Sequence, residues 1–228
     1  MQSVRANSPR LVADIGGTNA RFAMFFDAAG TLTHERSLSC DRYEGPVQAI
    51  EAYLAETQCP RPHEIAMAVA TPVTGYRIKL INNRWDLSVE QSRQALGINR
   101  LLMLNDFTAL ALSLPHLSAS QLRQVGGGTA APNTAIGLIG AGTGLGVSGL
   151  LPTKNTWVPI QGEGGHVSFS PANARETDIL RIVWREFPHV SAERLISGIG
   201  LDPLYRAIAE LEGNPARRPH PRQSPNAH

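Results

Sequence analysis

The stretch Leu11-Val-Ala-Asp-Ile-Gly-Gly-Thr-Asn-Ala-Arg-Phe-Ala23 decides how the rest of the chain is read. Leu11 to Ile15 is a short β-prone run, Gly16 and Gly17 supply a tight turn, and Arg21 to Phe26 resumes as a strand, so the segment predicts a β-hairpin. Its tip is polar in a way that suits a phosphate. Asp14 stands where the first strand ends and can hold a hydrated magnesium ion. Gly16 and Gly17 let backbone NH groups approach a polyphosphate, with Thr18 and Asn19 as side-chain donors. No Lys-Ser or Lys-Thr follows and the glycines lead into a strand, so this is not a Walker loop. An ordinary hairpin with a solvated Asp explains the local sequence equally well.

The rest of the chain bounds the answer. Its 228 residues suffice for one large or two modest domains, and 42% hydrophobic with 18% charged residues is ordinary for a globular protein. A formal charge of +2 predicts neither nucleic acid nor an anionic membrane as partner. No stretch approaches a membrane span and Met1 to Arg10 has no apolar core, so a cytoplasmic location is expected. Cys40 and Cys59 lie outside any Cys-x-x-Cys or Cys/His cluster and are expected to be small buried hydrophobes.

Elements follow from periodicity and punctuation. Thr31 to Cys40 predicts a third antiparallel strand, and Gly45-Pro46 opens a helix through Ile50, Tyr53 and Leu54. Glu64 to Ala70 and Arg100 to Leu104 read as strands buried on both faces, Arg77 to Ile81 as an addition at the sheet edge, and Ser88 as the cap of a short helix ending near Gly97. The second of those buried strands delivers Asn105 and Asp106 to its C-terminal end, where ligands gather in open α/β sheets. A domain boundary is expected at the start of the loop-rich passage Pro115 to Pro132, giving domains 1–115 and 116–212 and a disordered tail 213–228. The second domain repeats the opening. Thr134 to Ile139 and Leu145 to Leu151 flank a glycine turn, Trp157 to Gln161 adds a strand, and Gly162 to His166 forms a flexible polar turn. Asn173 to Phe187 predicts a helix burying Ile179, Leu180, Val183, Trp184 and Phe187, followed by helices over Ser191 to Ser197 and Leu201 to Leu211.

Several residues could carry chemistry. Gly140-Ala-Gly-Thr-Gly-Leu-Gly146 misses the dinucleotide spacing, since Leu145 and Val147 stand where the third glycine belongs. That argues against an NAD-dependent oxidoreductase and for a second phosphate hairpin with Gly142, Thr143 and Gly144 at its tip. Asp106 can accept the proton of a hydroxyl attacking a phosphoryl group, although alone it is better explained as the cap of the following helix. Glu163 and His166 suit neighbouring sugar hydroxyls. Glu193, taken alone, is better explained by the dipole of the helix expected after Ser191.

Together these motifs resemble the hexokinase and actin-like ATPase superfamily, and more closely the bacterial glucokinase family. Asp14-Ile-Gly-Gly-Thr-Asn-Ala-Arg21 is similar to its first phosphate motif, and Leu104-Asn-Asp-Phe-Thr-Ala109 to its catalytic segment. Gly140 to Gly146 is similar to its second phosphate motif, Gly162-Glu-Gly-Gly-His166 to its sugar-binding turn, and His189-Val-Ser-Ala-Glu-Arg-Leu-Ile-Ser-Gly198 to its last sugar contact. The resemblance implies an α/β protein of two ribonuclease H-like domains, the second incomplete, with the active site in a cleft between them. It implies ATP-dependent phosphorylation of glucose at the 6-hydroxyl, with Asp106 as general base, Asn105, Glu163, His166 and Glu193 on the sugar, and magnesium held through Asp14. The zinc motif of the related repressor and kinase family is absent from the sequence. Family members continue for about another third of their length, so the chain is expected to be a truncated or frameshifted product with weakened nucleotide affinity. A non-catalytic sugar-binding fragment or sensor is the alternative, and either aggregation or association into a homodimer through an open sheet edge is expected.

Overall fold

The computed structural model describes residues 8–26, 31–80 and 83–214. The chain divides into two compact units, Met1–Ala130 and Ala131–His228, so the contact boundary falls near the end of the loop-rich passage and not at its start.

The first unit is built on a five-stranded sheet. Its strands are β1 (Arg10–Ile15), β2 (Asn19–Phe25), β3 (Thr33–Ser39), β4 (Glu64–Val69) and a strand at Arg100–Asn105, with helix α1 (Pro46–Thr57) between β3 and β4. A small separate sheet pairs β5 (Arg77–Lys79) with β6 (Asp86–Ser88); helix α2 (Val89–Ala95) follows, then β7 (Arg100–Asn105) and helix α3 (Asp106–Ser113). The order is β3-β2-β1-β4-β7, with β1, β2 and β3 antiparallel and β1, β4 and β7 parallel. The register aligns Asp14 with Ala68 and Val69 with Asn105, so Asp14, Asn105 and Asp106 gather at the C-terminal edge of the parallel strands.

Two expectations for this unit need correction. Residues Arg77–Lys79 do not extend the main sheet; their Arg77 guanidinium grips Asp86 at 2.9 and 3.0 Å, and Ile78 and Leu87 turn into the core. β4 and β7 are not buried on both faces. Ile65, Met67, Leu101 and Met103 enter the core, while the alternate positions Ala66 and Ala68 are half-buried and Leu102 is exposed, the alternation of a sheet with one closed face. Of the cysteines, both free, Cys40 is buried as expected, with its thiol pKa pushed up by burial, and Cys59 only partly so.

The second unit begins with β8 (Ile136–Ala141), β9 (Leu145–Pro152) and β10 (Trp157–Ile160), an antiparallel sheet in the order β10-β9-β8. Helices α4 (Ala174–Val183) and α5 (Leu201–Leu211) pack together over Ile179, Leu180, Val183, Val190 and Ala207. Asn173 caps α4 by accepting the Glu176 NH at 2.9 Å, while the Glu176 carboxylate accepts the Ala172 NH at 2.7 Å. Trp184, expected on the buried face, ends the helix and is half exposed. The expected helix over Ser191 to Ser197 is a run of turns. The NH groups of Ala192 and Glu193 donate to the carbonyls of Val167 and Gly165, distant in sequence, and the Ser197 hydroxyl donates to the Glu193 carbonyl that a helix would pair with a backbone NH. Gly213 and Asn214, placed in the expected tail, instead close α5. Gly213 adopts φ 70° and the Asn214 NH returns to the Ala209 carbonyl at 2.8 Å, a Schellman cap. The remainder of the expected tail lies outside the described residues.

Candidate active-site residues in the two units

The first hairpin tip is held from two sides. The Gly16 NH donates to the Asn19 carbonyl at 2.9 Å, the Cys40 NH to the Thr18 carbonyl at 2.8 Å, and the Asn83 amide to the Gly16 carbonyl at 3.2 Å. Asn83 is itself fixed, because its side-chain oxygen accepts the Trp85 NH at 2.8 Å and the fully buried Trp85 indole donates to the Tyr43 carbonyl. Among the described residues, the NH groups of Gly17 and Thr18 take part in no hydrogen bond. They line a cavity of about 270 Å³ with Cys40, Asp41, Asn83 and Arg84. Asn19, expected at the tip, opens β2 instead.

Asn105 and Asp106 divide their work. Asn105, not Asp106, caps α3: its oxygen accepts the NH groups of Phe107 and Thr108 at 3.0 and 3.2 Å. Asp106 is the first helical residue, half-buried, with one oxygen accepting from the Asn105 amide at 2.9 Å and the Phe107 NH at 2.8 Å. Its carboxyl pKa is raised, mainly by burial and further by the nearby negative charge of Asp14. Asp14 is exposed and paired with Arg21 at 3.0 Å.

In the second unit the structure brings Glu163, His166 and Glu193 together. His166 lies with Nε2 3.8 Å from Glu163 and Nδ1 3.8 Å from Glu193. The polar turn that carries the first two is pinned, not flexible. A Cβ on Gly165 would stand 2.0 Å from the Leu145 carbonyl, and one on Gly164 would stand 2.8 Å from the Val147 side chain. Glycine is there for close approach to β9. Glu193 reaches the second hairpin, where one carboxylate oxygen accepts the Leu145 NH at 2.9 Å. The Gly198 NH donates to the Gly142 carbonyl at 2.7 Å and the Ile199 NH to the Thr143 carbonyl at 3.3 Å. Thr143 is exposed, and among the described residues neither its NH nor that of Gly144 is hydrogen-bonded.

The Glucokinase family model matches residues 11–227 of this chain. The chain belongs to the glucokinase family. The glucokinase of Aromatoleum aromaticum is 47% identical over 208 residues, covering 91% of this chain and 63% of that protein. The "Bifunctional protein glk" of Paraburkholderia xenovorans is 46% identical over 204 residues, covering 90% of this chain and 32% of that protein. The crystal structure of a glucokinase from an Antarctic psychrotroph superposes with a TM-score of 0.85 at 34% identity, covering 93% of this chain and 67% of that one. The α/β sugar-kinase fold follows from that likeness. The chain thus spans less than two thirds of the length of the first two relatives.

Sequence reasoning missed Asn83, which reaches the Gly16 carbonyl from 67 positions away, and Arg84, which lines the same cavity and donates to the Asp41 and Tyr43 carbonyls; neither belongs to a motif. It also missed that Asn105 is the cap. The Asn-Asp pair at a strand end offered a signal for the latter, since Asn and Asp are both strong N-caps and only geometry chooses between them.

Proposed function

We propose that the protein transfers a phosphoryl group from ATP to the 6-hydroxyl of glucose, with a ribonuclease H-like fold in each of its two units. The observation that carries this reading is Asp106, a half-buried carboxylate at a strand end whose pKa is raised by burial and by Asp14. A raised pKa makes it a better acceptor for the proton of an attacking hydroxyl. Asn105 fixes that carboxylate by donating to it, and the Phe107 NH holds the same oxygen. The other oxygen is the one left to receive the sugar proton. Glu163, His166 and Glu193 supply acceptors and a donor for the remaining hydroxyls. A site that pairs each hydroxyl rejects sugars lacking one.

The unpaired NH groups of Gly17 and Thr18 in one unit, and of Thr143 and Gly144 in the other, fit the oxygens of a polyphosphate. Magnesium fits Asp14, an exposed carboxylate. Among the described residues no three His, Cys, Asp or Glu side chains form a metal cluster, as suits an ion that keeps most of its waters. When bound, it would neutralise charge on the transferring phosphoryl group. The order of the first sheet, three antiparallel strands followed by two parallel ones, supports the ribonuclease H-like reading; the second unit has the antiparallel three-stranded part among its described residues. Free Cys40 and Cys59 suit a reducing, cytoplasmic setting, and the near-neutral charge favours small-molecule partners over nucleic acid.

The test is a coupled assay of glucose 6-phosphate formation with ATP, magnesium and glucose, beside Asp106→Ala. Turnover lost in the variant supports the reading. Glucose binding without turnover in the folded wild type would replace it with a non-catalytic sugar-binding role.

A further inference from the structure

We infer that Glu193 is a positioning residue of the second glycine hairpin, in addition to its place beside His166. The two oxygens of its carboxylate face different partners. Oε2 accepts the Leu145 NH at 2.9 Å, and Oε1 lies 3.8 Å from His166 Nδ1. Leu145 is the residue that follows the turn directly, so this bond fixes the peptide next to the unpaired NH groups of Thr143 and Gly144.

The turn is shaped to admit the carboxylate. A Cβ on Gly144 would stand 2.5 Å from Glu193 Oε2, so a side chain there would push the carboxylate off its present position. The segment carrying Glu193 holds the same turn with two further bonds, Gly198 NH to Gly142 carbonyl and Ile199 NH to Thr143 carbonyl. Glu193 is only one-fifth exposed, which strengthens its charge-assisted bond over a solvated one. One side chain thus ties the Glu163–His166 cluster to the hairpin that the proposed function assigns to phosphate, and the inference rests on that reading for its consequence in nucleotide binding.

The two roles of the carboxylate are separable by chemistry. A glutamine keeps an oxygen to accept the Leu145 NH but loses the negative charge beside His166; an alanine loses both. A negative charge next to a phosphate turn also repels the ligand, so Glu193→Gln is expected to bind nucleotide no more weakly than wild type in the absence of sugar.

The experiment measures amide hydrogen exchange at Leu145 in the full chain, together with the affinity for magnesium-ATP without glucose, in wild type, E193Q, E193A and H166A. Exchange at Leu145 is expected to stay slow in wild type, E193Q and H166A and to become about tenfold faster in E193A, the effect of losing one charge-assisted bond. Nucleotide affinity is expected to fall about five- to tenfold in E193A alone. Gly144→Ala attacks the same contact from the other side and is expected to reproduce the E193A behaviour. Unchanged Leu145 exchange in E193A, or equal losses in E193A and E193Q, would overturn the assignment. A wild type that binds no nucleotide defeats the phosphate reading of the hairpin instead, and Leu145 exchange still decides the positioning role.

Discussion

Asp106 and Asn105 are neighbours at one strand end with opposite loads: Asn105 satisfies two helix NH groups, while Asp106 keeps a carboxylate half-buried beside another acid. That arrangement makes Asp106 costly to ionise. Its folded-state pKa lies above the ordinary aspartate value, so the folded chain holds the proton more tightly than the unfolded one. The stability this contributes is complete below the ordinary value of about 4 and is lost as pH rises through the raised value. Asp106→Asn can keep an acceptor for the Phe107 NH and carries no charge. It is therefore expected to melt above wild type at pH 7, with the gap closing as pH falls below about 4, while phosphoryl transfer drops roughly 10²- to 10⁴-fold. Thermal melts across pH beside the coupled assay check both; a variant less stable than wild type at pH 7 would contradict the burial argument. Asn83 makes the complementary case. It bridges the Gly16 carbonyl and the Trp85 NH, so Asn83→Ala leaves the Trp85 NH without a partner and the Gly16 carbonyl with only the weak Cys40 thiol donor, and is expected to lower stability by about 1–3 kcal/mol in a denaturant titration.

At the scale of elements, the turn over Gly164–His166 depends on how closely it lies against β9. Gly165→Ala would drive a methyl group to 2.0 Å from the Leu145 carbonyl, where a rigid strand cannot yield. The turn must lift, carrying His166 with it. We expect about 1–3 kcal/mol of lost stability and a weakened glucose affinity, read by thermal melts and calorimetry, with nucleotide affinity less affected. This pinning also marks where the sequence stopped being legible. The strands, hairpins and capped helices could be read because each is signalled locally, by alternation, by Gly-Gly or by Ser88 and Asn173 before an apolar run. The burial of the sheet could not be, since an apolar run such as Glu64 to Ala70 does not say which of its faces is covered. The run Ser191 to Ser197 looked helical because its turns satisfy the same local preferences, and only bonds to Val167 and Gly165, distant in sequence, divert it. The candidate residues were readable as motifs, but the props Asn83 and Cys40 belong to tertiary contacts that no local pattern encodes.

At the scale of the molecule, the described residues form two cores that share no residue. One gathers Leu11, Ile50, Met67 and Trp85 in the first unit, and the other gathers Leu180, Val183 and Ala207 in the second. Between them, residues 118–135 are exposed throughout, and their side-chain hydrogen bonds run only to near neighbours, as from Gln124 to the carbonyls of Gly126 and Gly128. Such backbone opens at little cost, since no burial is lost when it does. Limited trypsin treatment is therefore expected to cut after Arg123 before any other site within residues 8–214. Lys154, also exposed, sits in the β9–β10 turn, where Thr153 and Thr156 close the chain on itself at 2.9 Å and leave a protease less slack. If each core suffices for its unit, fragments ending at Arg123 and beginning at Gln124 should both persist as the digest continues, as mass spectrometry of a time course would show. Rapid loss of either fragment after the first cut would mean that its core holds only while the chain is continuous, and that Asp106 and the Glu163–His166 cluster depend on one cooperative fold.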